Sequence, residues 1–332
     1  MSDRTLTLDE ARALVARTLE RCRTSAANAA AVARALVAAE ADGLKGHGLS
    51  RLPSYAAQAR VGKVDGFATP LVSQPRPALV LVDAAAGFAY PALDAARAPL
   101  MEASRREGIA AAAIRRSHHC GAAGHVVEAL AGEGLVALFF ANTPAAIAPW
   151  GGKRGLYGTD PIAFACPLPD QEPLVVDLSL SKVARGNILA AKQKGERIPE
   201  GWALNVAGSP TTDPSEALAG TMVPIGEAKG TVLALMVELL AAGLTGANYA
   251  SEASSFLDAE GPPPGTGQLI IAFDPTAIGG KETIGRFAAL AAMIEAEPGA
   301  RLPGRRRLTR RAAAEANGVT IAQRLFEEIE AL

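Results

Sequence analysis

His47 stands between two glycines in Gly46-His47-Gly48, four residues before Arg51. Flanking glycines leave an imidazole sterically open. An arginine that close can grip a carboxylate through two parallel N–H bonds while the imidazole moves a proton. A second concentration of histidine lies at residues 115–125, RRSHHCGAAGH, where His118, His119 and His125 are three of the four histidines of the chain. Metal ligation, nucleophilic chemistry at Cys120, and a small-residue turn that presents an imidazole to a ligand compete to explain it. Zinc is disfavoured, because adjacent histidines do not easily point at one ion and no carboxylate or thiolate stands at the usual ligand spacing. Gly121-Ala122-Ala123-Gly124 and Gly151-Gly152 do not make the G-x-G-x-x-G of an ordinary dinucleotide fold, and Gly226-Glu227-Ala228-Lys229-Gly230 lacks the spacing of a Walker A loop.

These residues have to be positioned by a chain of 332 residues that is 49% hydrophobic and 20% charged, the composition of a globular protein. Its 33 basic and 34 acidic side chains nearly cancel, which argues against nucleic acid or an anionic membrane as partner. With no secretory leader and no apolar run of membrane-spanning length, a cytoplasmic location is expected. Cys22, Cys120 and Cys166 include no C-x-x-C pair and are expected as free thiols.

Thr7-Leu8-Asp9-Glu10 has the form of a capping box and predicts a helix to about Cys22, followed by an Ala-rich helix from near Ser25 to Gly43. Residues 53–77 are rich in Pro and Gly and predict an extended connection. ALVLVDA and GIAAAAI predict strands around a helix at 92–106, then HVVEALAGEG a short helix and LVALFFANT a buried strand. IAFACPL, PLVVDLSL and QLIIAFDP predict further strands around one long helix, KGTVLALMVELLAAGL. Helix is expected again at 283–297 and 309–332. The fold class is α/β.

The segments GHGLSRLPSY, SHHCGAAGH, ANTPAAIAPWGG, YGTDPIAFACP, VVDLSLSKVARG, IPEGWALN, GEAKGTVLALMVELL and RLPGRRR, in this order, resemble the malate/L-lactate dehydrogenase family of NAD(P)-dependent oxidoreductases, distinct from the Rossmann-type enzymes. The resemblance implies a discontinuous helical domain from residues 1–75 and 280–332, joined to an α/β region at 76–279 with an uncommon, non-Rossmann nicotinamide-binding sheet. It further implies a homodimer. Within the family, PSYAAQARVGKVDG and SLSKVARGNILAAKQKGERIPEGWAL are most similar to Δ1-piperideine-2-carboxylate/Δ1-pyrroline-2-carboxylate reductases. The expected activity is therefore reduction of a small cyclic imino acid with NADPH, NAD being possible. The alternatives are a dehydrogenase of malate, L-lactate or ureidoglycolate, and a catalytically inactive binding homologue.

By the same resemblance His47, Arg51 and His119 are catalytic, Arg51 holding the substrate carboxylate with Thr159 nearby and His119 lying against the nicotinamide. Cys120, Gly121, Ala122 and Ala123 supply a turn that a dinucleotide can approach closely, since small residues free backbone N–H groups to reach phosphate oxygens. Thr143, Asp177, Leu178, Ser179 and Lys229 match cofactor-contacting positions. Arg301, Arg305, Arg306 and Arg307 match the segment at the cofactor's outer end, where guanidinium forks suit a 2′-phosphate; an exposed basic run is the other reading. His118 is expected to be a local structural or solvent-facing residue, and His125 to face out from its helix. One departure matters. The family usually has Ser-His-Gly where this chain has Gly46-His47-Gly48, so Ser50, Tyr55 or a water replaces the serine hydroxyl, or His47 acts with less orientation.

Overall fold

The computed structural model describes residues 3–332. In chain order the first half comprises β1 (Arg4–Leu6), α1 (Leu8–Arg21), α2 (Ala26–Ala41), α3 (Leu52–Val61), β2 (Leu71–Arg76), β3 (Leu79–Asp83), α4 (Ala89–Glu107), β4 (Ile109–Ser117), α5 (Ala123–Ala131) and β5 (Val136–Ala141). There follow β6 (Ile162–Leu168), β7 (Gln171–Leu178), α6 (Arg185–Lys194), β8 (Ala203–Leu204), β9 (Pro210–Thr211), α7 (Pro214–Ala219), β10 (Thr221–Met222), α8 (Ala228–Glu238), β11 (Thr266–Phe273), α9 (Pro275–Gly279), α10 (Thr283–Ala296), α11 (Arg305–Asn317), β12 (Val319–Ile321) and α12 (Gln323–Glu330).

The capping box closes as expected: Thr7 Oγ1 accepts from Glu10 N, and the Glu10 carboxylate accepts from Thr7 N at 2.8 Å. The stretch after Pro53 is helical at first rather than extended. Pro53 lies in the first turn of α3, where an N–H has no helical acceptor, so its absence costs nothing and the fixed φ favours the helix. Helices α1 to α3 share one apolar core with Ala314, Val319, Ile321 and Ile329 from the far end of the chain, and β1 pairs antiparallel with β12. The expected continuous helix at 309–332 is thus broken at Gly318 to make β12.

The main sheet has the order β2-β3-β4-β11-β5-β6-β7. Only β3 and β4 run parallel; every other neighbouring pair is antiparallel, so this is not a doubly wound dinucleotide sheet. Both faces of its centre are covered, which is why β4, β5 and β11 read as continuous apolar runs rather than as alternation. Helices α4 and α5 lie on one face over Ala112, Ile114, Phe139 and Ile270, and α8 lies on the other over Ala113, Phe140 and Leu269. The sheet takes in β2 at residues 71–76, and α10 packs beside β6 through Ala291, Leu168 and Leu302, so both of these segments sit on the sheet rather than in the helical cluster. Among the described residues no helix is long and apolar enough to cross a membrane.

Candidate active site

After α2 the chain makes two short 3-10 turns, Lys45–His47 and Leu49–Arg51, before entering α3. The buried Glu40 carboxylate pins them by accepting from Leu49 N at 3.0 Å. Arg51 spends its Nε on Gly46 O at 2.6 Å, which orients the guanidinium and leaves its outer nitrogens without a carboxylate partner among the described residues. That turn sets His47 against His119, which arrives from the end of β4. The rings stack with centroids 5.2 Å apart and planes 14° from parallel. His119 Nδ1 lies 2.5 Å from the Tyr55 hydroxyl, and that hydroxyl lies 3.1 Å from the Tyr90 hydroxyl. Phe256 closes the cluster, 5.3 Å from the His119 ring and 5.0 Å from that of His118.

Of the two expectations for His118, a structural role and a solvent-facing one, the structure shows the first. His118 is 1% exposed, its Nε2 is 2.9 Å from Gln58 Oε1, and Gln58 in turn donates to Phe256 O. Ser50 donates to Lys45 O at 2.6 Å, so its hydroxyl does not serve His47. Tyr55 serves His119 instead, and His47 Nδ1 is buried without a partner.

Burial, and next the positive charge of Arg51, holds His47 down to about 4 and His119 well below the ordinary histidine value. Both rings are therefore neutral at pH 7, facing an unneutralised guanidinium. An anion on Arg51 removes part of the penalty on imidazolium, so substrate binding and His47 protonation are coupled. Burial raises Tyr55 to about 12, and burial followed by Asp177 raises Cys120 to about 12. Cys120 is a thiol at neutral pH, which sets nucleophilic chemistry aside.

The residues matched to cofactor contacts gather in two groups. Asp177 Oδ2 accepts from Gly124 N at 2.7 Å, joining the end of β7 to the buried Cys120–Ala123 turn at the start of α5, with Leu178 alongside and 38% exposed. Thr143 Oγ1 accepts from Thr159 N at 2.8 Å, and Ser179 donates to Thr159 O at 3.2 Å, forming a short chain of hydroxyls. A carboxyl group, small residues and hydroxyls fit a ligand rich in hydroxyl and amide groups, as a nicotinamide nucleotide is. A cavity of about 530 Å³ runs along the turn, with Tyr90, Cys120, Ala122, His125 and Arg311 in its walls; His47, Arg51 and His119 do not line it. Lys229 is exposed in the first turn of α8.

The arginine run divides. Arg301 and Arg306 are exposed. Arg305 is held by Glu295 at 2.8 Å and Gln171 at 3.0 Å, and Arg307 grips Glu128 with both fork nitrogens at 2.8 Å. Nor does His125 face out, a correction to the expectation for it. Its Nε2 is 2.8 Å from the fully buried Asp42 carboxylate, which also receives Arg311 at 2.8 and 2.9 Å. Asp42, His125 and Glu128 bring ligand atoms within 4.8 Å of one another, but Arg307 and Arg311 already supply the positive charge that a metal ion would bring.

Sequence reasoning missed this network, as it did the buried Asp160–Glu238 pair behind Thr159. Glu238 accepts from Gly158 N, Ala250 N and Asn142 Nδ2, whereas neither oxygen of Asp160 has a hydrogen-bond partner among the described residues.

The description of the malate/L-lactate dehydrogenase family matches residues 6–330. This chain belongs to that family. It is accordingly an oxidoreductase. The chain is 53% identical over 304 residues to a (2R)-3-sulfolactate dehydrogenase (NADP+) of Chromohalobacter salexigens, spanning 92% of this chain and 91% of that one. It is 40% identical over 328 residues to the Δ1-pyrroline-2-carboxylate/Δ1-piperideine-2-carboxylate reductase of Pseudomonas putida, spanning 97% and 95%. The crystal structure of Δ1-piperideine-2-carboxylate reductase from Pseudomonas syringae pv. tomato superposes with a TM-score of 0.93 at 38% identity, covering 99% of both chains. The antiparallel-rich sheet, expected as a non-Rossmann arrangement, is thus shared with members of the family.

Proposed function

We propose that the protein catalyses NADPH-dependent reduction of a cyclic imino acid, Δ1-piperideine-2-carboxylate to L-pipecolate or Δ1-pyrroline-2-carboxylate to L-proline. The observation that carries this reading is the arrangement around Arg51. A single unpaired guanidinium, Arg51, faces two stacked imidazoles that are both neutral. One carboxylate satisfies Arg51. A substrate that arrives protonated on its ring nitrogen needs no imidazolium to complete the reduction, whereas a ketone oxygen must be given a proton as it becomes a hydroxyl.

NADPH, when bound, supplies the hydride. Asp177, Thr143, Ser179, Lys229 and the Cys120–Ala123 turn are the residues that would hold it, and Arg301 and Arg306 are the exposed arginines available to a 2′-phosphate. Arg51 binds and orients the substrate carboxylate. The protonation of His47, neutral beside Arg51, responds to the bound anion, and Phe256 packs against the His119 ring. The departure at Gly46 is tolerable in this chemistry, because the missing hydroxyl would have served proton delivery.

Similarity to the 53%-identical relative supports a second reading, NADP-linked oxidation of (2R)-3-sulfolactate. There His47 would accept the hydroxyl proton, and a second cation would be needed for the sulfonate. Initial rates with both imines, sulfopyruvate, pyruvate and oxaloacetate, each with NADPH and NADH, decide between the two. The imine reading expects the highest kcat/KM for an imine. Sulfopyruvate turnover above that of both imines would replace it with the second reading. Arg51→Ala should lower kcat/KM about 10- to 150-fold for the preferred substrate, the factor for about 1.5–3 kcal/mol in a charge-assisted hydrogen bond. A homodimer is the assembly we propose, through the exposed apolar flank of α8, where Val232 and Leu235 are 66% and 42% exposed; sedimentation of Val232→Asp as a monomer would support that face.

A further inference from the structure

We infer that Tyr90 and Tyr55 form a one-way chain of hydrogen-bond donors that fixes His119 as its Nε2–H tautomer, which makes Tyr55 a positioning residue for the site. The number of protons available decides the direction of the chain. Tyr55 is fully buried and Tyr90 is 7% exposed, and the only hydrogen-bond partner of the Tyr90 hydroxyl among the described residues is Tyr55. A phenol has one proton to donate, and a neutral imidazole carries a proton on one nitrogen only.

If Tyr90 donates to Tyr55, then Tyr55 is free to donate to His119 Nδ1, and both hydroxyl protons have acceptors. Run the other way, His119 Nδ1–H donates to Tyr55 and Tyr55 donates to Tyr90, which leaves the Tyr90 proton without an acceptor among the described residues. Buried donors without acceptors are strongly avoided. The first direction therefore holds, and Nδ1 is an acceptor. The ring proton sits on Nε2, which is then the only donor that His119 can offer a ligand.

The position of the chain follows from packing. A Cβ on Gly121 would lie 2.7 Å from the Tyr90 hydroxyl, so the turn expected to approach the cofactor is in contact with the origin of the chain. Tyr55 itself stands over His119 nearly edge-on, at 69°. The sequence departs from its family at Gly46, beside His47, but the tyrosines act on the other ring. The two stacked histidines thus differ: His119 has its tautomer fixed from behind, while His47 Nδ1 has no partner and its tautomer is set by what binds.

The tautomer assignment is independent of the substrate proposed above; only its kinetic consequence rests on that reading. The test is ¹H–¹⁵N long-range correlation of the full chain labelled at histidine, with His119 assigned from a His119→Gln spectrum. Wild type should show His119 as a single Nε2–H tautomer, and Tyr90→Phe should keep it, because Tyr55 still has a proton to give. Tyr55→Phe should show a mixture of tautomers, with kcat reduced several-fold and the Kd for NADPH little changed. A wild-type Nδ1–H signal would overturn the direction of the chain, and a single unchanged tautomer in Tyr55→Phe would overturn the role of Tyr55. If no substrate is turned over at all, the function proposed above fails while the spectra still decide the tautomer.

Discussion

Replacing Asp42 by Asn tests the energetic logic of the junction between the helical core and the sheet. The Asp42 side chain is fully buried, and burial by itself would raise its pKa. Hydrogen bonds from His125 and Arg311, with their charges, outweigh that effect and bring it down to about 2. Against an unfolded value of about 3.9, the difference is nearly two pKa units, or about 2.5 kcal/mol of native stability at neutral pH. The sign follows from the lowered native value. The contribution is present above about pH 4 and is lost as the pH falls through the native pKa. Asp42→Asn keeps the shape but leaves Arg311 and Arg307 to Glu128 alone, and removing one partner of a buried ion pair costs about 3–5 kcal/mol. Urea unfolding at neutral pH should show that loss, and acid titration of the variant should lack most of the wild-type decline between about pH 4 and 2. A loss below about 1 kcal/mol would refute the reasoning, because it would place this network with exposed pairs of little net worth.

Other outcomes follow from the same geometry. Asp160 is held well above the ordinary carboxylate value, first by burial and then by Glu238, so the native state retains a proton that the unfolded chain loses from about pH 4 upward, and stability should fall as pH rises through the native value. Asp160→Asn, which removes the titrating proton, should flatten that decline in Tm; an unchanged slope would exclude Asp160 as its source. Gly230→Ala would place a Cβ 1.8 Å from Ile225 O, forcing open the turn that carries Lys229 into α8, and calorimetry should show weakened NADPH binding. Arg306→Ala should raise the KM for NADPH more than for NADH, whereas Arg305→Ala, already committed to Glu295, should affect both cofactors equally.

Much of the sheet was legible because its central strands are buried on both faces. GIAAAAI, LVALFFANT and QLIIAFDP are uninterrupted apolar runs of strand length, and they became β4, β5 and β11. Helix α3 was hidden by Pro53, a residue that breaks a helix interior but starts one equally well. Strands β8, β9 and β10 have two residues each, too short for any periodicity. At the site, His47, Arg51 and His119 stood out through their types and neighbours, but what surrounds them did not. Asp42 meets Arg311 across 269 positions and Tyr55 meets His119 across 64, separations that pattern reading does not bridge. Arg307 illustrates the limit, since a basic run and a half of a buried ion pair are written identically in sequence.

The core shared by α1, α2 and α3 with Ala314, Val319 and Ile329 has a consequence for how the chain is made. The three helices leave the ribosome early, while the side chains that complete their core are translated roughly 250 residues later, about 12–50 s at ordinary elongation rates. For that interval Leu14, Leu36 and Leu52 have neighbours from one another but no lid. The sheet, whose strands run from residue 71 to 273, can close within it. Nascent molecules should therefore hold a finished sheet beside an open helical cluster, and a stall before residue 314 should leave that cluster as the preferred target of chaperones and proteases.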